Sequence, residues 1–212
     1  MKGLLLKEMY LLRKHYGGYA LVVAVFLVMS FMDNDSSMIV IYPGILVTLI
    51  PITLLQNDEQ SGWNRYCGTL PYSGAQIVSA KYLIGLSAQI ATLLLSGATQ
   101  AFIMIQKDSI RPDIYLLTMS VTLIASFVLS SVSFPLVFRF GAAKGQLIYT
   151  VALGSVCALL IPLAMLAPSL LAQEFPSAGF LSVCCLIAVA LYALSWRLSI
   201  SFYKKRESIT PL

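Results

Sequence analysis

Apolar residues in this chain come in long runs. Six stand out: Tyr16–Met32, Met38–Leu55, Ile77–Ile105, Ile114–Phe138, Gln146–Ala167 and Ala178–Ser201. A helix that crosses a bilayer needs about 20 mostly apolar residues. Backbone polar groups in hydrocarbon must be satisfied within their own segment, so each run is expected to be helical. The pattern predicts six transmembrane helices. The first run is short and gains length from the helix before it, and it reads as a retained span rather than a cleaved signal. The third is long, and its first turn, around Lys81, is expected to protrude into water.

The polar stretches between the runs carry their own signals. Residues 1–15 are too polar to span. On a helix Leu5, Met9, Leu12 and Tyr16 share one stripe, with Lys7 and Lys14 opposite. This predicts an interfacial helix that enters the first span at Gly17 and Gly18; the alternative is a flexible basic leader. Between the fifth and sixth runs, Pro162, Pro168 and Pro176 interrupt a stretch that stays apolar from Leu163 to Leu171. Proline breaks or kinks helices. Residues 162–177 read either as an outer re-entrant hairpin or as a kinked helix end followed by a loop.

Composition agrees with this pattern. Of 212 residues, 58% are hydrophobic and 11% charged, with a mean hydropathy of +0.84. Soluble domains carry about 25% charge. The chain is therefore expected to be an all-α membrane protein, a single transmembrane domain over 1–212 with no room for a soluble catalytic domain. All the charged residues, 14 Lys and Arg and 9 Asp and Glu, are expected to fall outside the membrane core. The net charge of +5 comes from basic residues at the ends of the runs. That is a signature of membrane orientation, not of nucleic-acid binding. Only Lys107 and Arg111 fall on one side of the membrane. The remaining Lys and Arg, in the leader, around Arg65 and Lys81, at Arg139 and Lys144, and at the C-terminal end, fall on the other. The rule that positive loops stay inside places both termini and the polar loop after the second run in the cytoplasm.

Few residues offer chemistry. The only histidine is His15, in the basic leader, so a serine–histidine site within the membrane is excluded. The cysteines Cys67, Cys157, Cys184 and Cys185 lack metal or redox spacing. No G-x-x-x-x-G-K-[ST] stretch is present, so the chain has no P-loop. Ion-coupled transport usually relies on ionisable residues inside the membrane, and the runs are read as having none at their cores. Neutral polar residues do line up: Gln89, Thr92, Ser96 and Gln100 on the third run, and Ser126, Ser130 and Ser133 on the fourth. Such stripes are either the wall of a substrate pathway or hydrogen-bonding glue between helices.

The one long polar interruption, 56–75, is different. It holds Asp58, Glu59, Trp63, Arg65, Tyr66, Leu70, Pro71 and Tyr72 between two apolar runs. Aromatics beside an arginine are typical of interface anchors, and also of the aromatic belt at headgroup level. A short helix from about Glu59 to Gly68 fits there, with a turn at Pro71 before the third run.

The basic start Lys2-Gly3-Leu4-Leu5-Leu6-Lys7-Glu8 is followed by the pattern Asp58-Glu59…Gly62-Trp63…Tyr66…Leu70-Pro71-Tyr72-Ser73…Ile77-Val78…Lys81-Tyr82-Leu83. Over its whole length the chain resembles the type-two permeases of ATP-binding-cassette (ABC) transporters, in particular small six-span bacterial members. Many members carry a basic residue after the Leu-Pro-x-Ser string, where this chain has Gly74. The resemblance implies an elbow helix at 1–15 and a cytoplasmic coupling helix in 56–75 that docks on a separate ATPase subunit. It also implies a re-entrant hairpin at 162–177. The chain would be a non-enzymatic export subunit in the bacterial cytoplasmic membrane, paired with an identical or similar permease and surrounded by lipid. ATP and Mg would be bound by the partner ATPase, with no cofactor in this chain. Substrates would be peptides, toxins, drugs or lipid-like molecules. Asp58, Glu59, Trp63, Arg65, Tyr66, Leu70, Pro71 and Tyr72 would carry coupling, and Gln89, Thr92, Ser96, Gln100, Ser126 and Ser130 the substrate pathway. The alternatives are an ion-coupled secondary transporter and a membrane immunity or sensor protein that binds a peptide without moving it.

Overall fold

The computed structural model describes residues 2–15, 17–32, 37–63, 67, 73–107, 111–151, 154 and 178–209. Among these, helix is the only regular structure. In chain order the helices are α1 Lys2–His15, α2 Gly17–Met32, α3 Ser37–Val47, α4 Ile50–Gln60, α5 Gly74–Gln106, α6 Pro112–Phe140 and α7 Ala178–Ile209. A further helical stretch occupies 142–151. Three segments are long and apolar enough to cross a membrane: Gly74–Gln106, Pro112–Phe140 and Gly179–Tyr203, of 33, 29 and 25 residues. At 1.5 Å per residue these reach roughly 38–50 Å, against a hydrocarbon core of about 30 Å. They coincide with the third, fourth and sixth apolar runs. The first run forms a helix of 16 residues, α2. Most of the fifth run and the 162–177 hairpin lie outside the described residues.

The second run is a broken helix. Pro51 has no N–H, and its ring excludes the carbonyl four residues back. The chain therefore turns at Thr48 and Leu49, whose N–H groups donate to the carbonyls of Ile45 and Leu46 at 3.1 Å each. Two hydroxyls serve carbonyls around the break. Thr48 Oγ1 donates to Ile45 at 2.7 Å, and Thr53 Oγ1 reaches Leu49 and Ile50 at 3.0 and 2.9 Å. An irregular backbone inside a membrane needs such substitute partners. α4 then starts afresh with Pro51 in its first turn and continues to Gln60. Asp58 and Glu59 thus sit in the last turn of α4. The short loop helix expected to begin at Glu59 does not start there.

α5 opens with a capping box. Ser73 Oγ accepts the Gln76 N–H at 3.4 Å, and Gln76 Oε1 accepts the Ser73 N–H at 3.2 Å. α6 closes at Gly141, whose φ of 87° is a left-handed conformation that costs glycine little. The chain then folds back tightly. A Cβ on Gly145 would lie 2.6 Å from Val137 Cα.

The centre of the bundle is built around Tyr82 of α5, which is fully buried. Its ring stacks on Phe134 of α6 and Trp196 of α7, with centroids 4.1 and 5.5 Å apart, and meets Tyr192 edge-on at 5.3 Å. Its hydroxyl lies 2.8 Å from Ser195 Oγ and 2.7 Å from Ser199 Oγ. Tyr192 donates to the Tyr82 carbonyl at 3.0 Å. Trp196 Nε1 donates to Ser79 Oγ at 3.1 Å. Aromatic area supplies the packing, and the polar tips find partners, as buried tyrosines and tryptophans require.

Two substitutions probe this frame by thermal unfolding in detergent. Tyr82→Phe keeps the stacking but leaves the Ser195 and Ser199 hydroxyls without their shared partner. It should cost about 1 kcal/mol, a small drop in Tm. Gly145→Ala meets backbone rather than a side chain, so it should cost about 1–3 kcal/mol. A Gly145→Ala protein as stable as the parent would contradict the tight turn.

Candidate functional site

Three helices meet at one end of the bundle through four charged side chains. Lys7 and Glu8 come from α1, Asp58 from the end of α4 and Lys81 from the second turn of α5. Lys7 Nζ donates to Asp58 Oδ1, and Lys81 Nζ to Asp58 Oδ2. Both ammonium groups also reach Glu8 Oε1, each at 3.2 Å. Glu8, Asp58 and Lys81 are 3%, 3% and 4% exposed, and Lys7 is 22% exposed. The quartet is neutral, with each carboxylate bridging both lysines. Isolated charges this deep would carry a desolvation penalty of several kcal/mol each, so removing a single member leaves a neighbour uncompensated. One acceptor is left over: Glu8 Oε2 is buried and makes no hydrogen bond.

Trp63 lies against this quartet. Lys7 Nζ sits 4.1 Å from the centre of its ring, a cation–π contact. The ring is half-buried and packs on a small apolar cluster of Leu4, Cys67, Ile77 and Ala80, joined by Leu5 and by Tyr203 of α7. Glu59 turns the other way. Its Oε2 accepts the backbone N–H of Ala142 at 3.0 Å, and one turn earlier Gln56 donates to Gln146. The segment at the end of α4 is thereby fastened to α1, to α5 and to the stretch after α6. What it leaves exposed is the tip, Gln60, Ser61 and Gly62, where Gly62 takes a φ of 69°.

Of the residues expected to carry coupling, Asp58 and Glu59 point into the protein and hold it together, and Trp63 does so in part. Arg65, Tyr66, Leu70, Pro71 and Tyr72 lie outside the described residues. Lys81 does not protrude into water; it is buried and paired. Lys7 also departs from its expected place on the outer side of α1. It faces inward with Glu8, because the surface opposite offers Asp58. As a result Leu6, Met9 and Tyr10 form the exposed face of α1. Sequence reading passed over Lys7, Glu8 and Lys81 as site residues. A signal was there: Lys81 stands four residues inside an apolar run, where an ionisable group is costly and calls for a partner.

The two polar stripes are buried inside the chain. Gln89 Nε2 donates to Ser130 Oγ, and to the Ser126 carbonyl at 3.2 Å, joining α5 to α6. Thr92, Thr118, Thr122 and Ser126 direct their hydroxyls to carbonyls of their own helices. α3 closes on the same region, so that a Cβ on Gly44 would come within 2.6 Å of Thr122 Cγ2. Ser96 Oγ and both amide atoms of Gln100 are buried without partners. In this arrangement Gln89 joins α5 to α6, while Thr92, Ser126 and Ser133 bond within their own helices, and all the stripe residues are buried.

Removing one member of the quartet should expose its dependence on completeness. Lys81→Met leaves Asp58 and Glu8 facing a single lysine. The loss should be about 3 kcal/mol or more, since an uncompensated buried charge remains. A Tm for Lys81→Met equal to the parent's would show that the quartet adds nothing to stability.

A model of the ABC-2 family transporter proteins matches residues 3–204. No curated protein and no solved structure matches the chain. The family match runs from the first turn of α1 into the last turns of α7, so it takes in the quartet, the Trp63 segment and the helices they join. With three helices able to cross a bilayer and a match over nearly its whole length, the chain belongs to the ABC-2 family of transporter proteins, multi-pass membrane permeases that partner an ABC ATPase.

Proposed function

We propose that this chain is the membrane-spanning subunit of an ATP-driven exporter in a bacterial cytoplasmic membrane. In this reading it has six spans, with the N-terminal and C-terminal ends and the Trp63 segment in the cytoplasm. α1 lies at the inner interface, with Leu6, Met9 and Tyr10 turned towards lipid. Two permease chains, identical or similar, enclose the substrate path. The partner ATPase binds ATP and Mg and hydrolyses the nucleotide, and this chain supplies the path and the linkage. The cargo is a peptide, toxin, drug or lipid-like molecule.

The observation that carries this reading is the way the α4 end is held. It is fastened through Asp58, Glu59 and Gln56 to three other elements, while Gln60, Ser61 and Gly62 stay exposed. A tip held this rigidly can receive a push from a partner and pass it on as movement of packed helices. Adjacent to Lys81, Tyr82 continues the connection into α6 and α7. Trp63 then has two tasks. It supports α1 through Lys7, and its open side contributes to the ATPase contact.

The test is association with the ATPase after purification of the tagged chain from its native membranes, with phosphate release as the second reading. Gln60→Arg changes an exposed side chain of the tip. It should weaken ATPase binding roughly tenfold, about 1.4 kcal/mol, without changing Tm. Trp63→Ala should lower both ATPase binding, by about 2 kcal/mol, and Tm. Undiminished ATPase binding in both variants would refute the docking role. Flux driven by an ion gradient with no ATPase bound would establish the secondary-transporter alternative.

A further inference from the structure

The quartet has an internal division that a simple buried ion pair lacks. Lys7 and Glu8 are neighbours on α1 and touch each other, Nζ to Oε1 at 3.2 Å. Asp58 and Lys81 come from α4 and α5 and also touch each other. The contacts Lys7–Asp58 and Lys81–Glu8 join these two pairs across the boundary between α1 and the rest of the protein. Each side of that boundary is therefore neutral by itself. Pulling apart an ordinary buried salt bridge strands a charge on each side, at a cost of several kcal/mol. Separating α1 from α4 and α5 strands none, because each half keeps an internal ion pair.

The remaining contacts across the boundary fit the same behaviour. Leu4 seats in a small apolar cluster, and Leu5 and Leu11 rest on a second one of Val47, Ile50, Leu54 and Ile84, both apart from the main core. Lys7 lies over Trp63, whose own segment carries the exposed tip. Glu8 has one oxygen with two donors and one with none. It can exchange one set of donors for another without first breaking every bond. Elements that move in a switching protein come from the less firmly packed parts of the structure.

We propose that the quartet is a reversible clasp. It closes α1 onto the α4–α5 junction in the state described here and opens, as two neutral pairs, when the ATPase moves the Trp63 segment. Lys7 and Glu8 are positioning residues: they touch neither nucleotide nor cargo, and they set when α1 is free to move. The clasp rests on the proposed ATPase coupling. The division into neutral halves does not.

The experiment uses Leu4→Cys as a reporter, in a chain whose four cysteines are replaced by alanine or serine, reconstituted with its co-purified ATPase in lipid vesicles. Leu4 is 3% exposed, so N-ethylmaleimide should label the reporter slowly without nucleotide. With Mg-ATP the rate should rise roughly tenfold, because labelling follows the open fraction. Adding Lys7→Gln and Glu8→Gln together should give the fast rate without nucleotide. Labelling that neither nucleotide nor the double variant changes would overturn the clasp. A fast double variant with no nucleotide effect would make the quartet a static lock and overturn it too. A nucleotide effect with a slow double variant would show that something else holds α1.

Stability supplies an arm that needs no ATPase. Glu8→Gln alone leaves two lysines facing one carboxylate, whereas the double variant leaves Asp58 and Lys81 paired. The single variant should therefore have the lower Tm. The reverse order would overturn the neutral-halves account. If no ATPase accompanies the parent chain, the proposed function fails, while the double-variant labelling and the order of Tm values still judge the quartet.

Discussion

Four charges buried at the meeting point of three helices must balance. That requirement organises this end of the protein. Lys7 and Glu8 of α1, Asp58 of α4 and Lys81 of α5 each lose hydration on folding, and only their mutual contacts offset the loss. The N-terminal helix is thereby drawn against the junction between the second and third apolar runs, and Trp63 is placed under Lys7.

From this junction the packing runs inward along one helix. Lys81 faces the charges, while its neighbour Tyr82 enters an aromatic cluster shared with α6 and α7. On the other side of the Trp63 segment, Glu59 and Gln56 fasten α4 to the stretch after α6. The exposed tip at Gln60–Gly62 is thus joined to nearly every long element at that end. This is the kind of connection a subunit without a P-loop of its own needs if a partner's hydrolysis is to move its helices. The polar stripes of α5 and α6 play a different part. Gln89 ties the two helices through Ser130 and the Ser126 carbonyl, and the hydroxyls of Thr92, Ser126 and Ser133 serve carbonyls of their own helices.

Much of the architecture was legible beforehand because the bilayer leaves few choices. A run of apolar residues in lipid has to be helical, and the third, fourth and sixth runs appear as long apolar helices at the expected places. The break in the second run could have been read from Pro51, which removes a donor in the middle of an apolar stretch. At the candidate site, Asp58, Glu59 and Trp63 stood out as polar or aromatic residues between apolar runs. Their direction did not. Side-chain direction depends on what lies opposite, and the opposing surface for Asp58 comes from residues 51 positions earlier and 23 positions later.

The sequence by itself determined the class of this protein: helical, membrane-embedded, with one long polar segment between apolar runs and no P-loop. Those properties follow from composition and local order, since the cost of exposing a backbone to lipid is the same wherever the helix packs. Only the tertiary structure decided that Lys7, Glu8, Asp58 and Lys81 form one neutral set, that Lys81 is buried instead of hydrated, and that the polar stripes face inward. Coulomb attraction and desolvation depend on distance in space, and no spacing along the chain reports that distance between α1, α4 and α5.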